Sequence, residues 1–239
     1  MSWGSMNFSL VQHLLTIPVA IFSAVVWGVA AVPSYLLFME ISEWSKAQGF
    51  WMEAIGICVG LGIGYLLWGL TLLLICGILG GLLRPPLKEG RYPLNSWVTI
   101  AWAWSLVFHK VAQMFIKNIV PSLQVNIYYK MMGAKIGKGV QILTDSLNDA
   151  HMVTLGDGVV VGGNATINGH LVERGEIVLA PVSVGNNAVV GGGSTVQPGC
   201  TIGEGAVVAS RAVVPKWTNI PDGEAWGGIP ARFIKKVGE

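Results

Sequence analysis

The sequence predicts an all-β coil with three flat faces, preceded by an α-helical transmembrane hairpin and a helix lying in the membrane interface. Three observations carry this. Aliphatic residues recur at every sixth position through much of the C-terminal half, two long apolar runs fill the N-terminal third, and a Trp-rich stretch with one polar stripe joins them. The composition agrees: 52% of the 239 residues are apolar and only 12% are charged, well below the quarter expected of a domain surrounded by water.

Residues 1–94 are assigned to the hairpin and its basic flank. No Asp, Glu, Lys or Arg occurs between Met1 and Met39, and Leu14 to Met39 is almost wholly apolar. At about 1.5 Å per residue, a helix of that length outruns a hydrocarbon core of roughly 30 Å. A cleaved signal peptide would have a basic start and a shorter apolar core, so the run is assigned to a membrane helix. The second run, Ala54 to Leu83, stops at Arg84-Pro85-Pro86, where charge and proline end a spanning helix. The loop between the runs carries Glu40, Glu43, Lys46 and Glu53, whereas Arg84, Lys88 and Arg91 follow the second. The basic flank faces the cytoplasm, which places both termini and everything after Arg84 there, in an integral protein of the inner or plasma membrane. Gly56, Gly60 and Gly64 stand four apart. They are either a close helix–helix contact face or the ordinary glycine content of a membrane helix.

Residues 95–132 form the interfacial helix and a connector. In "SWVTIAWAWSLVFHKVAQMFIKNI", from Ser96 to Ile119, Lys110, Gln113 and Lys117 make one polar stripe on an otherwise apolar, Trp-rich surface. His109, beside the stripe, reads as a solvated ring. A net charge of +2, with no basic cluster interleaved with aromatics in the C-terminal half, sets nucleic acid aside as a partner. Cys58, Cys76 and Cys200 suggest no disulfide framework, which favours a reduced compartment.

The coil is assigned to residues 133–216, with a tail at 217–239. The aliphatic positions are Ile136, Ile142, Leu155, Val161, Ile167, Val184, Val190, Val196, Ile202, Val208 and Val214, and a small residue or Val stands two positions before each. A period of six matches neither an α-helix nor a flat strand. It suits a chain that turns a corner every sixth residue and points one large and one small side chain inward per face. The phrases "IGKGV", "LGDGV", "VGNNA" and "IGEGA" open successive coils and are separated by 19, 29 and 18 residues. Eighteen is one turn of a three-sided coil. The first coil therefore holds one extra residue and the second holds eleven, which a packed solenoid must extrude as a surface loop at about 169–181, with His170 at its root.

These phrases, with "GGSTVQPGCTIGEGAVVASRAVVPK" and "GGIPARFIKK", resemble the left-handed β-helix acyltransferases with hexapeptide repeats, over roughly Gly133 to Lys236. The resemblance implies a left-handed parallel β-helix, a homotrimer with sites at the subunit seams, and acetyl-CoA as acyl donor. The hand comes from the resemblance alone, because parallel crossovers are ordinarily right-handed. More distantly, membrane helices before such a domain resemble the membrane-bound acyltransferase-like ends of poly-lysine-type peptide synthetases. This chain carries no adenylation or carrier segment and would be a stand-alone relative.

His170 is the candidate general base: an imidazole titrating near neutrality can take the proton of a hydroxyl or amine as it attacks a thioester carbonyl. The resemblance supports it, because the family's catalytic histidine lies on or beside an extruded loop. His151, at the one-residue insertion, is the competitor. Glu173, Glu176, Asp145 and Asp149 are candidates to fix the base's tautomer, and Glu173 is placed in the catalytic set. Backbone N–H groups near Gly163, Gly191 or Gly192 are candidates to hold the oxyanion. The resemblance puts the donor's pantetheine arm along Ala209 and Ser210, with Lys216 and Arg232 near its phosphates. Some γ-type carbonic anhydrases share this fold and hold zinc with three histidines. The coil region has only His151 and His170, so no metal is expected.

The expected function is a membrane-anchored acyltransferase, O- or N-acetylating a small-molecule or lipid-linked acceptor near the bilayer from acyl-CoA. The alternatives are a peptide-bond-forming relative that uses a carrier-bound thioester and a non-catalytic trimeric membrane scaffold.

Overall fold

The computed structural model describes residues 8–238. The expectations for the first residues of the chain fall on positions 1–7, outside the described residues. The chain divides into two compact units, Ser9–Cys76 and the part from Gly77 onward.

The first unit is a helical hairpin made by α1 (Phe8–Lys46) and most of α2 (Phe50–Leu82). Both helices are long and apolar enough to cross a membrane. They meet at a tight turn in which Gly49 takes a φ of +97°, a left-handed conformation that suits glycine at a helix end. The stripe Gly56, Gly60 and Gly64 is a contact face. A Cβ at Gly56 would lie 2.4 Å from the Ser45 Cβ, one at Gly60 3.1 Å from the Phe38 ring, and one at Gly64 3.8 Å from the Ser34 Cβ. The approach is closest beside the turn and loosens along the pair. Trp68 Nε1 donates to the Trp27 carbonyl at 3.2 Å, and Ile21, Val25, Val29, Leu61 and Leu66 point outward, exposed.

In the second unit, α3 (Trp97–Ile119) begins where the Ser96 hydroxyl accepts from the Thr99 N–H. Phe108, Val111, Ala112, Phe115 and Ile116 are buried, so this apolar face packs on protein; Trp97, Trp104, Met114, Lys110 and Lys117 stay exposed. His109 is not a solvated ring: it is 4% exposed. Helical spacing puts it on the same face as Ser105, Ala112 and Ile116, all buried. Its Nδ1 lies 3.2 Å from the Tyr128 hydroxyl and its Nε2 3.1 Å from the Asp145 carbonyl. Burial pushes its pKa down to about 4. The short helix α4 (Leu123–Met131) caps the coil, with Tyr128 and Tyr129 buried and the Tyr129 carbonyl accepting from the Ala134 N–H at 2.9 Å.

From Lys135 onward the chain winds through three parallel sheets. The first face holds Lys135–Ile136, Val153–Leu155, Val182–Val184, Thr201–Ile202 and Asn219–Ile220. The second holds Gln141–Ile142, Val160–Val161, Val189–Val190, Val207–Val208 and Glu224–Gly228; the third holds Leu147–Asn148, Thr166–Asn168, Thr195–Val196 and Val213–Val214. Ile136, Leu155, Val184, Ile202 and Ile220 stack in register, as the six-residue stride requires. Every inward aliphatic position predicted from the sequence is buried except Ile136, which is half-buried in the first coil. The small partners, Ala165, Ala188, Ser194, Cys200, Ala206 and Ala212 among them, are buried too. In the opening phrases the first glycine is a stacking requirement: a Cβ at Gly156 would meet the Asn186 backbone nitrogen at 2.8 Å, and one at Gly203 the Asp222 nitrogen at 2.5 Å.

Two features differ from the expectation. The coil does not end at Lys216: Asn219–Ile220 and Glu224–Gly228 continue the first two faces, and Ala231–Lys236 folds back antiparallel on Glu224–Gly228. The extruded segment is also not a plain loop. His170–Glu173 and Glu176–Leu179 form a β-hairpin, which Gly90–Pro93 joins as a third antiparallel strand. Arg174 and Gly175 both take positive φ, +49° and +78°, the geometry of the two-residue turn whose twist matches a hairpin. The buried Met152, Ile177 and Leu179 anchor this small sheet, with Leu87, Tyr92, Leu94, Val98 and Trp102 packed against them.

Candidate active site

The site arises where two faults in the coil coincide. In the first coil the inward positions run Ile142, Leu147, Leu155 and pair with Val161, Ile167 and Val184. The single surplus residue is therefore one missing before Leu147 and two added after it. The added residues form a corner with Asp149 at a φ of +56° and a turn of 3-10 helix at Ala150–Met152. The hairpin leaves the second coil at the same corner. Asn148 pairs with Asn168, and a Cβ at Gly169 would lie 2.8 Å from the Asp149 Cβ. One fault thus presents Asp149 and the next presents His170.

These two side chains meet. His170 Nδ1 lies 2.5 Å from Asp149 Oδ2, with the carboxylate 1% exposed and the imidazole 21% exposed. The other carboxylate oxygen accepts from Trp102 Nε1 of α3 at 2.9 Å, and the Trp102 ring lies 4.6 Å from the His170 ring, tilted 58°. A carboxylate at Nδ1 fixes the proton there and leaves Nε2 as the basic nitrogen. This is what a general base needs: an oriented ring, a free lone pair and an anion to stabilise the imidazolium.

Of the four candidate carboxylates, Asp149 is the partner. Glu173 forms ion pairs with Lys216 and Arg91, and Lys216 beside it holds its carboxyl below the ordinary range. These pairs tie the hairpin to the coil and to Arg91. Glu176 pairs with Arg91, and the Asp145 carboxylate accepts from the Ser146 hydroxyl. His151 stands two residues from Asp149 and is hydrogen-bonded to neither member of the pair. Its Nε2 is buried without a hydrogen-bond partner, it lines a small cavity with Arg84, Ser105, His109 and Asp149, and burial lowers its pKa.

Gly191, Gly192, Ala209 and Ser210 form one column at a different corner, between the second and third faces. A Cβ at Gly191 would lie 2.5 Å from the Ser210 nitrogen, and the Ala209 N–H donates to the Trp226 carbonyl at 2.7 Å. Arg232 is exposed and lies opposite Gly227, whose position stacks on Ala209. Lys216 is instead drawn to the hairpin by Glu173. Sequence reasoning missed Trp102 altogether, because nothing in a Trp-rich amphipathic helix marks which indole leaves the apolar surface to meet a carboxylate.

A family model described as bacterial transferase hexapeptide (six repeats) matches residues 181–216. Over 164 residues the chain is 27% identical to delta-poly-L-ornithine synthetase of Acinetobacter baumannii (strain AB307-0294), a match covering 66% of this chain and 12% of that protein. The chain thus spans only about an eighth of the length of this curated relative. Among solved structures it is similar to a maltose O-acetyltransferase from Clostridium difficile 630, at 21% identity and a TM-score of 0.48, covering 63% of this chain and 94% of that one. It is also similar to a galactoside acetyltransferase in complex with coenzyme A, at 21% identity and a TM-score of 0.48, covering 63% and 88%. Residues 181–216 of the three-faced coil are thus similar to the repeats of the bacterial transferase hexapeptide model.

Proposed function

We propose that the chain is a membrane-anchored acyltransferase, moving an acetyl group from acetyl-CoA to a hydroxyl or amine of an acceptor held near the bilayer. The single observation that carries this reading is the His170–Asp149 pair, oriented at a corner of a hexapeptide-repeat coil. The acceptor's oxygen or nitrogen attacks the thioester carbonyl carbon while His170 Nε2 takes its proton. A backbone N–H steadies the negative carbonyl oxygen of the tetrahedral intermediate. As the intermediate collapses, the C–S bond breaks and the imidazolium returns the proton to the departing sulfur. Asp149 keeps the proton on Nδ1 and offsets the charge that forms on the ring.

In this reading the prism is left-handed and three copies assemble side by side, so that the Gly191, Gly192, Ala209 and Ser210 column of one protomer faces His170 of the next. Narrow side chains along that column leave backbone against which an extended pantetheine arm can lie. Arg232 is the candidate phosphate contact, and Lys216 reaches the donor only by leaving Glu173. The two apolar helices hold the coil at the inner or plasma membrane, with the basic segment after Arg84 on the cytoplasmic side.

A second reading, supported by the likeness to delta-poly-L-ornithine synthetase, keeps the same base but takes an aminoacyl group from a carrier-bound thioester to an amine. One assay separates them: thiol release by the detergent-purified protein from acetyl-CoA or from a carrier-bound aminoacyl thioester, against a panel of hydroxyl and amine acceptors, with His170→Ala alongside. Acceptor-dependent release from acetyl-CoA that His170→Ala abolishes supports the first reading. Release from the carrier thioester alone supports the second, and no release from either leaves a scaffold.

A further inference from the structure

We propose that Trp102 is a positioning residue for the base: it pins the Asp149 carboxylate so that His170 keeps its proton on Nδ1. The proposal rests on the reading of His170 as the base. A carboxylate 1% exposed is stable only if both its oxygens find donors, and here each has one: Trp102 Nε1 at 2.9 Å on Oδ1 and His170 Nδ1 at 2.5 Å on Oδ2. With both occupied, the carboxylate cannot rotate about its own axis without losing one. The indole N–H only donates, so it holds a carboxylate oxygen and cannot compete as a base for the His170 proton.

The ring adds a second constraint. It lies 4.6 Å from the imidazole at a tilt of 58°, walling one side of His170. It is itself fixed by packing against the buried cluster of Met152, Ile177 and Leu179 under the hairpin. The two faults of the coil thus supply carboxylate and base, while α3, which lies outside the coil, supplies the clamp that orients them.

The test compares wild type, Trp102→Phe and a protein carrying benzothienylalanine at position 102, which keeps the bicyclic shape but has sulfur in place of N–H. Each is measured in the native and the Asp149→Asn background. If Trp102 acts through Asp149, both replacements lower kcat about tenfold, as loss of a hydrogen bond to a buried charge implies, with KM within twofold. In Asp149→Asn they change kcat by less than twofold. Independently of activity, ring-nitrogen NMR of labelled histidine, with His170 assigned by its loss in His170→Ala, shows a downfield Nδ1–H in wild type that moves upfield in both replacements. Wild-type kcat and an unmoved Nδ1–H in the benzothienyl protein overturn the proposal, as does an equal proportional loss in both backgrounds. If His170→Ala is inactive while the Trp102 replacements are unaffected, only this inference fails; if His170→Ala retains full activity, the base reading falls first and takes this one with it.

Discussion

With His170 as the proposed base, Gly169 is where geometry and catalysis are most tightly joined. In Gly169→Ala the new methyl would lie 2.8 Å from the Asp149 Cβ and 3.0 Å from the Met152 Cβ, both on the opposing corner. Carbon atoms settle at about 3.5–4.0 Å, so the corner must open by roughly 0.5–1 Å. The Asp149–His170 contact starts at 2.5 Å. An opening of that size, directed along the contact, stretches it to about 3.0–3.5 Å, past the roughly 2.7–2.9 Å of a charge-assisted hydrogen bond. Misplacement by about 1 Å costs on the order of 100-fold in rate. The expected result is a kcat about 100-fold below wild type in acceptor-dependent thiol release, at saturating donor and acceptor, with a modest fall in thermal midpoint. Gly62→Ala is the control: nothing lies within 4 Å of its added methyl, it sits inside α2, and it should leave kcat unchanged. A Gly169→Ala protein with wild-type kcat would refute the claim that the stacked corners set the pair's geometry.

Three further expectations are open to measurement. Asp149→Asn should lower kcat by about 10²–10⁴-fold, because its amide cannot hold the imidazole in the reactive tautomer; kinetics beside an unchanged circular dichroism spectrum check this. His109 is held neutral with a pKa pushed down to about 4, whereas the unfolded chain protonates it near 6.5, so stability is full above 6.5, falls as pH drops towards 4 and levels off below. The loss amounts to roughly 3 kcal/mol, and denaturation midpoints across that range should show it in wild type and not in His109→Gln. Gly56→Leu should disrupt the helical hairpin, since even a Cβ there lies 2.4 Å from the Ser45 Cβ; cross-linking of cysteines introduced across the two helices should fall.

The coil was legible because its side chains obey a count that few other arrangements produce: Ile142, Val161, Val190 and Val208 had to line one face, and they do. His170 was legible for the same reason, as a residue standing where the count breaks. Asp149 was harder, because its fault is a net surplus of one that conceals a residue lost before Leu147 and two gained after it. The hairpin was written in "VERGEI", where Arg-Gly supplies the turn, yet its third strand comes from Gly90–Pro93, far away in sequence. Trp102 and His109 lie on a helix whose periodicity reports an apolar face but not what covers it, and for His109 the cover proved to be protein. That Glu173 pairs with Lys216 and Arg91 was not legible, because proximity in sequence to His170 says nothing about direction: residues an odd number apart along a strand point to opposite faces.

Within the coil, the register that brings the two corners together is set between Lys135 and Val184, whereas the coils beyond repeat at a constant eighteen. Removing or duplicating a unit such as 185–202 should therefore change the height of the column without moving Asp149 relative to His170.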